Sequence, residues 1–327
     1  MNEPVVQIIT REELLPELDD SNFFHSRQLF RIARLTPRQK PYMAVAQTAD
    51  GRVLAHLLAI VRYRASLLPP YLYMHCRIIG EGVYSYSHGD YTASGLFGMM
   101  IDALNSKLVS RMLYMEVSNL SQKMFAYKEL KQRQFFPVHW MSIHNSLHSH
   151  TPEERISEKL QKRIDSAYVK GIITDEVKDN ADFKAFMKLL KHHHWLKPKR
   201  YIPDEKFFEA VRQGGFGRLA VTRYHGHIIG CSAVVFSQQN AYLWYTAFRR
   251  KSYAKLHPDE LTLWHAIKDA HSRGCRHICF LDVGLPFSRN PFREFILRFG
   301  GKPVSTYRWF RCSIRWINTL LSWIYRN

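Results

Sequence analysis

The sequence predicts a mixed α+β fold of the α/β kind, built from two copies of one unit. Apolar strand-like runs meet at two hairpin turns, Asp50-Gly51 and His225-Gly226. Helical stretches join the apolar runs that follow. The flanking segments also repeat: AVAQTADGRVLA runs from Ala44 to Ala55, and AVTRYHGHIIG from Ala220 to Gly230. Gly226 follows Gly51 by 175 residues, while Asp282 follows Glu116 by 166 and Pro303 follows Pro137 by 166. Each pair falls in the same predicted element, which is how a duplication reads.

Taken in order, the first copy begins with a strand over Val5 to Ile9 and a helix start at Thr10. Two strands follow between Pro41 and Tyr63. The second is apolar from Val53 to Val61 except at His56, as a strand covered on both faces should be. A strand over Tyr71 to Ile79 comes next, then a helix from Leu96 to Leu108. A strand over Met112 to Val117, a helix near Gln122 to Lys131 and a strand from Val138 to Ile143 complete the copy. Thr151 to Gly171 reads as one long helix, with Ile156, Leu160, Ile164 and Ala167 at helical spacing. Beyond it come a short strand at Ile172, helices over Ala181 to His194 and Pro203 to Gln213, and the second hairpin. Tyr242 to Phe248 is a strand, Pro258 to Arg273 a helix and His277 to Val283 a strand, with a short helix ending at Gly300-Gly301. The predicted division is a first unit over 1–150, a connecting helix over 151–171, a second unit over 172–310 and an amphipathic helix over 311–327.

Composition narrows the function. Of 327 residues, 46% are hydrophobic and 13% aromatic, so a packed core is expected and disorder is not. The net charge of +19 points to anionic company such as nucleic acid, anionic lipid or a phosphorylated ligand. The N-terminus lacks the basic start and apolar core of a secretory signal, and no apolar run has spanning length. A cytoplasmic location is expected, with peripheral contact at the inner face of the membrane as a further expectation. The five cysteines form no CxxC pair and read as reduced thiols.

The stretch from Asn240 to Val304 carries the candidate site. Arg249, Arg250, Lys251, Ser252 and Lys255 precede a helix, where cations and a helix N-terminus together favour a phosphorylated group. Asp282 closes a central strand, where ligands of open α/β sheets gather, and can accept or orient an amine proton. Glu116 is its counterpart in the first copy and a substrate-binding candidate. Arg289 and Arg293 flank the loop after Gly284 and are candidates for an anionic acceptor. His192, His193 and His194 are consecutive on a helix and point in different directions, so no metal site is expected.

The order of hairpin, strand, helix, strand, short helix and strand resembles a GNAT acyltransferase domain. Two such units in tandem resemble the Fem-type family, the peptidoglycan-bridge aminoacyltransferases and their relatives. FLDVG followed by FREFILRFGG, with TLWHAIKDAHSRG before them, carries the likeness, which spans about Pro41 to Phe310. The resemblance implies an acyl donor and makes Tyr245 a candidate acid for a thiolate leaving group. It also departs here: the loop Arg249 to Lys255 has cations without glycines, and His88 to Gly95 has glycines without cations.

The tail, TYRWFRCSIRWINTLLSWIYRN, places Phe310, Ile314, Ile317, Leu321 and Ile324 on one helical face and adds Trp309, Trp316 and Trp323. Such a basic, Trp-rich amphipathic helix suits an anionic membrane surface. The leading expectation is an N-acyltransferase moving an acyl group from acyl-CoA or an acyl-carrier thioester to an amine. An acidic carrier protein or tRNA is the expected partner. An aminoacyl-tRNA-dependent transferase and a non-catalytic membrane-surface or RNA-binding protein stay open beside it.

Overall fold

Gly51 and Gly226 turn their hairpins at φ +85° and +77°, a region a side chain disfavours. The structure, a computed structural model, describes residues 4–65, 71–85, 91–120, 123–194, 201–281 and 283–325. The first copy contributes β1 (Val5–Ile9), α1 (Arg27–Leu35), β2 (Gln39–Gln47), β3 (Val53–Ala65), β4 (Leu72–Ile79), the short β5 (Val83–Tyr84), α2 (Ala93–Leu108), β6 (Tyr114–Ser118), α3 (Tyr127–Gln132) and β7 (Phe136–Ser146). The second contributes α4 (Glu158–Val169), β8 (Ile173–Glu176), α5 (Asn180–His194), α6 (Glu205–Gln213), β9 (Gly217–Tyr224), β10 (His227–Ser237), β11 (Asn240–Phe248), α7 (Pro258–Ser272), β12 (His277–Phe280), α8 (Pro291–Leu297), β13 (Lys302–Cys312) and α9 (Arg315–Ile324).

Two units result, Met1–Trp140 with Ser305–Asn327, and Met141–Val304. The sheet of unit 1 runs β1-β2-β3-β4-β6-β13, and that of unit 2 runs β8-β9-β10-β11-β12-β7. Both are mixed. β4 pairs with β6 in parallel across α2, as β11 pairs with β12 across α7, because a parallel connection needs a crossover. The copies exchange their last strands. Ile143 to Ser146 of β7 pair with β12, and Arg308 to Cys312 of β13 pair with β6. The predicted boundaries at 150 and 172 therefore differ from those observed, since the chain changes unit inside β7 and again inside β13.

Other differences are local. The long helix expected over Thr151 to Gly171 is a 3-10 turn at Glu153–Arg155 followed by α4, because Ser157 caps a new start by accepting from the Leu160 N–H at 3.3 Å. Leu160, Ile164 and Ala167 do lie on one buried face, but they join the core of unit 2 with Leu263, Ile267 and Phe299. The tail is strand as far as Cys312, and Trp309 is fully buried with Phe97 and Leu104 in the core of unit 1. Burying one such large apolar side chain contributes roughly 1.5–3 kcal/mol.

The first turn of α7 is pinned by hydroxyls. Thr262 Oγ1 donates to the Pro258 carbonyl at 2.7 Å and lies 2.6 Å from Thr222 Oγ1, which lies 3.0 Å from Thr174 Oγ1. Gly230 of β10 leaves the room Thr262 needs, for a Cβ there would collide with Thr262 Oγ1. Gly230→Ala is therefore expected to destabilise the protein by roughly 1–3 kcal/mol through overpacking. Urea denaturation measures this, and an unchanged midpoint would show that the turn has slack.

Candidate functional site

β11 and β12 stay together for four residue pairs, Asn240–His277 to Leu243–Phe280. On its other side β11 carries a bulge: Val234 faces Leu243 and Ala233 faces Tyr245, so Trp244 is the extra residue. A bulge bends its strand and raises its twist, and β11 leaves β12 there. Past that point Arg249 N still donates to Ile229 of β10 at 2.8 Å. By strand alternation the backbone groups of Thr246 and Phe248 then face the side β12 has left. Two histidines at the end of α5 meet them. His194 Nε2 is 3.1 Å from the Thr246 carbonyl, and His193 Nδ1 is 3.2 Å from the Phe248 carbonyl and 3.4 Å from its N–H. A carbonyl only accepts, so His194 carries its proton on Nε2 in that contact.

A cavity of about 320 Å³ opens beside this edge, with His193, His194, Thr246, Arg250, Asp259 and Phe292 in its wall. Thr246 and Phe292 also line a narrow slot between the parting strands, together with Leu281. The loop after β12 is held by Asn290, which donates to the Val283 carbonyl at 2.8 Å and caps α8 by accepting from the Phe292 and Arg293 N–H groups.

The start of α7 differs from the phosphate seat the sequence suggested. Asp259 and Glu260 are buried in its first turn, where carboxylates satisfy the positive helix end. Arg250 Nε lies 3.4 Å from Asp259, while Arg163 and Arg298 lie 2.9 and 3.5 Å from Glu260. Burial pushes the Glu260 carboxyl up despite those arginines. Arg249, Lys251 and Ser252 are exposed. Lys255 and His257 instead line a second cavity of about 500 Å³ with Glu158, Lys159, Lys162 and Arg163 of α4 and with Lys170 just past its end. The α4 residues recur at helical spacing, and His257 enters α7 at φ 47°.

Other candidates take structural places. The Tyr245 hydroxyl donates to the Tyr201 carbonyl at 3.2 Å and its ring packs edge-on to Phe208. Arg293 braces its own loop through the Leu285 and Ser288 carbonyls at 2.8 and 2.7 Å. Exposed Arg289 sits 3.7 Å from Glu294. Asp282 lies outside the described residues. Sequence reading missed Asp259, the α4 cations and the two histidines. The α4 spacing was legible, whereas the histidines needed the bulge. Among the described residues no cluster of His, Cys, Asp or Glu is arranged to hold a metal.

Residues 155–292, all within unit 2, match the family model described as an acetyltransferase (GNAT) domain. The crystal structure of FemX is similar with a TM-score of 0.65 at 12% identity, over 95% of this chain and 96% of that one. The fold is a Fem-like tandem GNAT fold. A tandem GNAT protein from the clavulanic acid biosynthesis pathway, solved without AcCoA, gives a TM-score of 0.55 at 11% identity over 92% and 91% of the two chains. L-PGS from Bacillus licheniformis gives 0.58 at 10% identity over 90% and 92%. No curated protein matches the sequence.

In the first GNAT-like unit, Glu116 is buried 3.4 Å from both Arg77 and Arg308 and accepts from the Ser118 hydroxyl at 2.9 Å. Arg308 also lies over the Trp140 ring at 3.9 Å. The Glu116 carboxylate is thus held by the chain's own arginines. Burial alone would raise its pKa, but Arg77, Arg308 and Ser118 outweigh burial and hold it below the usual range. Its stabilisation is complete above the unfolded-state pKa near 4.5 and is lost as pH falls through the lower folded value. Glu116→Gln should cost roughly 3–5 kcal/mol at neutral pH and flatten the stability profile below that pKa. Denaturation at several pH values checks both, and a profile that keeps its acid limb would assign that limb elsewhere.

Proposed function

We propose that this protein is an N-acyltransferase whose reaction takes place in unit 2, where β11 leaves β12. The cavity of about 320 Å³ on that edge carries the reading, since it joins a strand edge, a buried carboxylate and two imidazoles around one space. An amine bound there attacks the acyl carbonyl carbon of the donor. The C–N bond forms, the C–S or C–O bond to the donor breaks, and the proton of the attacking nitrogen passes to a base. His193 in the cavity wall is that base, and Asp259 attracts the incoming ammonium. Asp282, one residue past the slot-lining Leu281, is a second acceptor of the proton. Holding both reactants side by side supplies much of the acceleration.

The donor is an aminoacyl-tRNA ester rather than acyl-CoA. Asp259 and Glu260 occupy the helix end where a pyrophosphate would sit, and His193 and His194 occupy the strand edge. Lys159, Lys162, Lys170 and Lys255, with Glu158 among them, form a broader and mainly basic face, suited to an RNA backbone. The acyl-CoA reading keeps one observation in its favour, the GNAT domain match over 155–292.

Thermal shift with acetyl-CoA, a long-chain acyl-CoA, coenzyme A and bulk tRNA at two salt concentrations separates the donors. A salt-sensitive shift with tRNA is expected, lost when Lys159, Lys162 and Lys170 become Glu. A shift with acyl-CoA that disappears when Arg249 and Arg250 become Ala would restore the thioester donor. With the donor in hand, His193→Gln should lower kcat by roughly 10²–10⁴-fold. A full rate in that variant would move the base to Asp282, which Asp282→Asn tests.

A further inference from the structure

Helix α9 is inverted. Its polar residue faces in and its largest apolar residues face out. Asn318 is buried, accepts from the Cys312 N–H at 2.8 Å and donates to the Gln134 carbonyl at 2.9 Å. Tyr325, just past the helix, stacks on Phe136 with ring centroids 6.1 Å apart. Ser313 donates to the Met112 carbonyl. The helix is therefore fastened to unit 1 on one side. The opposite stripe is Trp316, Leu320, Trp323 and Ile324, at helical spacing and 69%, 48%, 69% and 52% exposed. Scattered apolar residues on a surface need no explanation, but a contiguous stripe with two tryptophans does.

The surroundings specify what covers it. Arg315 is exposed on the same helix, and Arg111 is exposed next to Met112, to which the helix is tied. β4 and β6 run in parallel, and β13 ends opposite the start of β6. The start of β4 thus lies at the same end of the unit 1 sheet as α9. There Tyr71 and Leu72 are 66% and 67% exposed. Indole rings, aliphatic side chains and flanking cations at one end suit the interface of an anionic bilayer, where tryptophans prefer the headgroup level and arginines meet lipid phosphates. Among the described residues no helix is long and apolar enough to cross a membrane.

We propose that α9, with Tyr71 and Leu72, is a peripheral docking surface for an anionic lipid bilayer. The surface belongs to unit 1 and is independent of the acyl-transfer site in unit 2.

The test is cosedimentation of the full chain with vesicles of phosphatidylcholine alone and of phosphatidylcholine with phosphatidylglycerol. Brominated lipid adds a second readout by quenching tryptophan. Binding to the anionic vesicles with quenching is expected. Trp316→Ser with Trp323→Ser should weaken binding at least roughly tenfold with the melting temperature unchanged. Arg111→Ala and Arg315→Ala should each weaken it about fivefold on anionic vesicles only. Three outcomes overturn the proposal. The first is a chain found only in the supernatant. The second is equal sedimentation with and without the two tryptophans, which would assign binding to the general basic charge. The third is tryptophan-driven, concentration-dependent self-association without vesicle binding, which would make a second copy the occupant.

Discussion

The parting of β11 from β12 governs unit 2. Strand edges do not tolerate unmet N–H and C=O groups in a buried setting. When the bulge at Trp244 turns β11 away, the Thr246 carbonyl and the Phe248 backbone lose β12 as a partner, and the end of α5 meets them with His194 and His193. The end of α5 is thereby fixed against β11. One bend thus places two imidazoles, the Phe292 wall and the first turn of α7 around one cavity.

Charge is distributed by the same logic. The chain is strongly basic, yet the cations nearest α7 are matched by buried carboxylates in its first turn. A second basic group lies along α4 and at Lys255, where Lys159, Lys162 and Lys170 share a wall with Glu158. A net charge is a property of a chain, but attraction of a polyanion depends on which cations keep their field. Arg250 and Arg163 give up part of theirs to Asp259 and Glu260, so the loop that looks most cationic in the sequence is less so in space.

Much of the fold was legible. The two hairpins, their glycines and the helix before each parallel strand follow from local patterning, and the duplication fixed their order. The tandem arrangement was legible for the same reason. What failed was non-local. No periodicity announces that β7 and β13 trade places, because both runs read as ordinary strands wherever they pair. Ser157 broke a helix that the apolar spacing made continuous, since a cap is one side chain against a whole pattern. At the site, Arg293 looked like a ligand contact and is a loop brace, because its partners are backbone carbonyls that sequence does not display. His193 and His194 were dismissed as ligands on sound geometric grounds, yet their role depends on a strand edge some fifty residues away.

The exchange of last strands sets an order of events on the ribosome. Unit 2 is continuous from Met141 to Val304, so all of its strands have been synthesised before the ribosome reaches β13. Unit 1 begins first and is finished last. β6 is made near residue 114, but its partner on the side away from β4 comes only with Arg308 to Cys312. For most of translation that edge of β6 is bare, and a bare edge invites pairing with the wrong strand. The early part of this protein must wait for Arg308 to Cys312, so nascent-chain truncations short of residue 312 should leave it the more vulnerable part to proteases and chaperones.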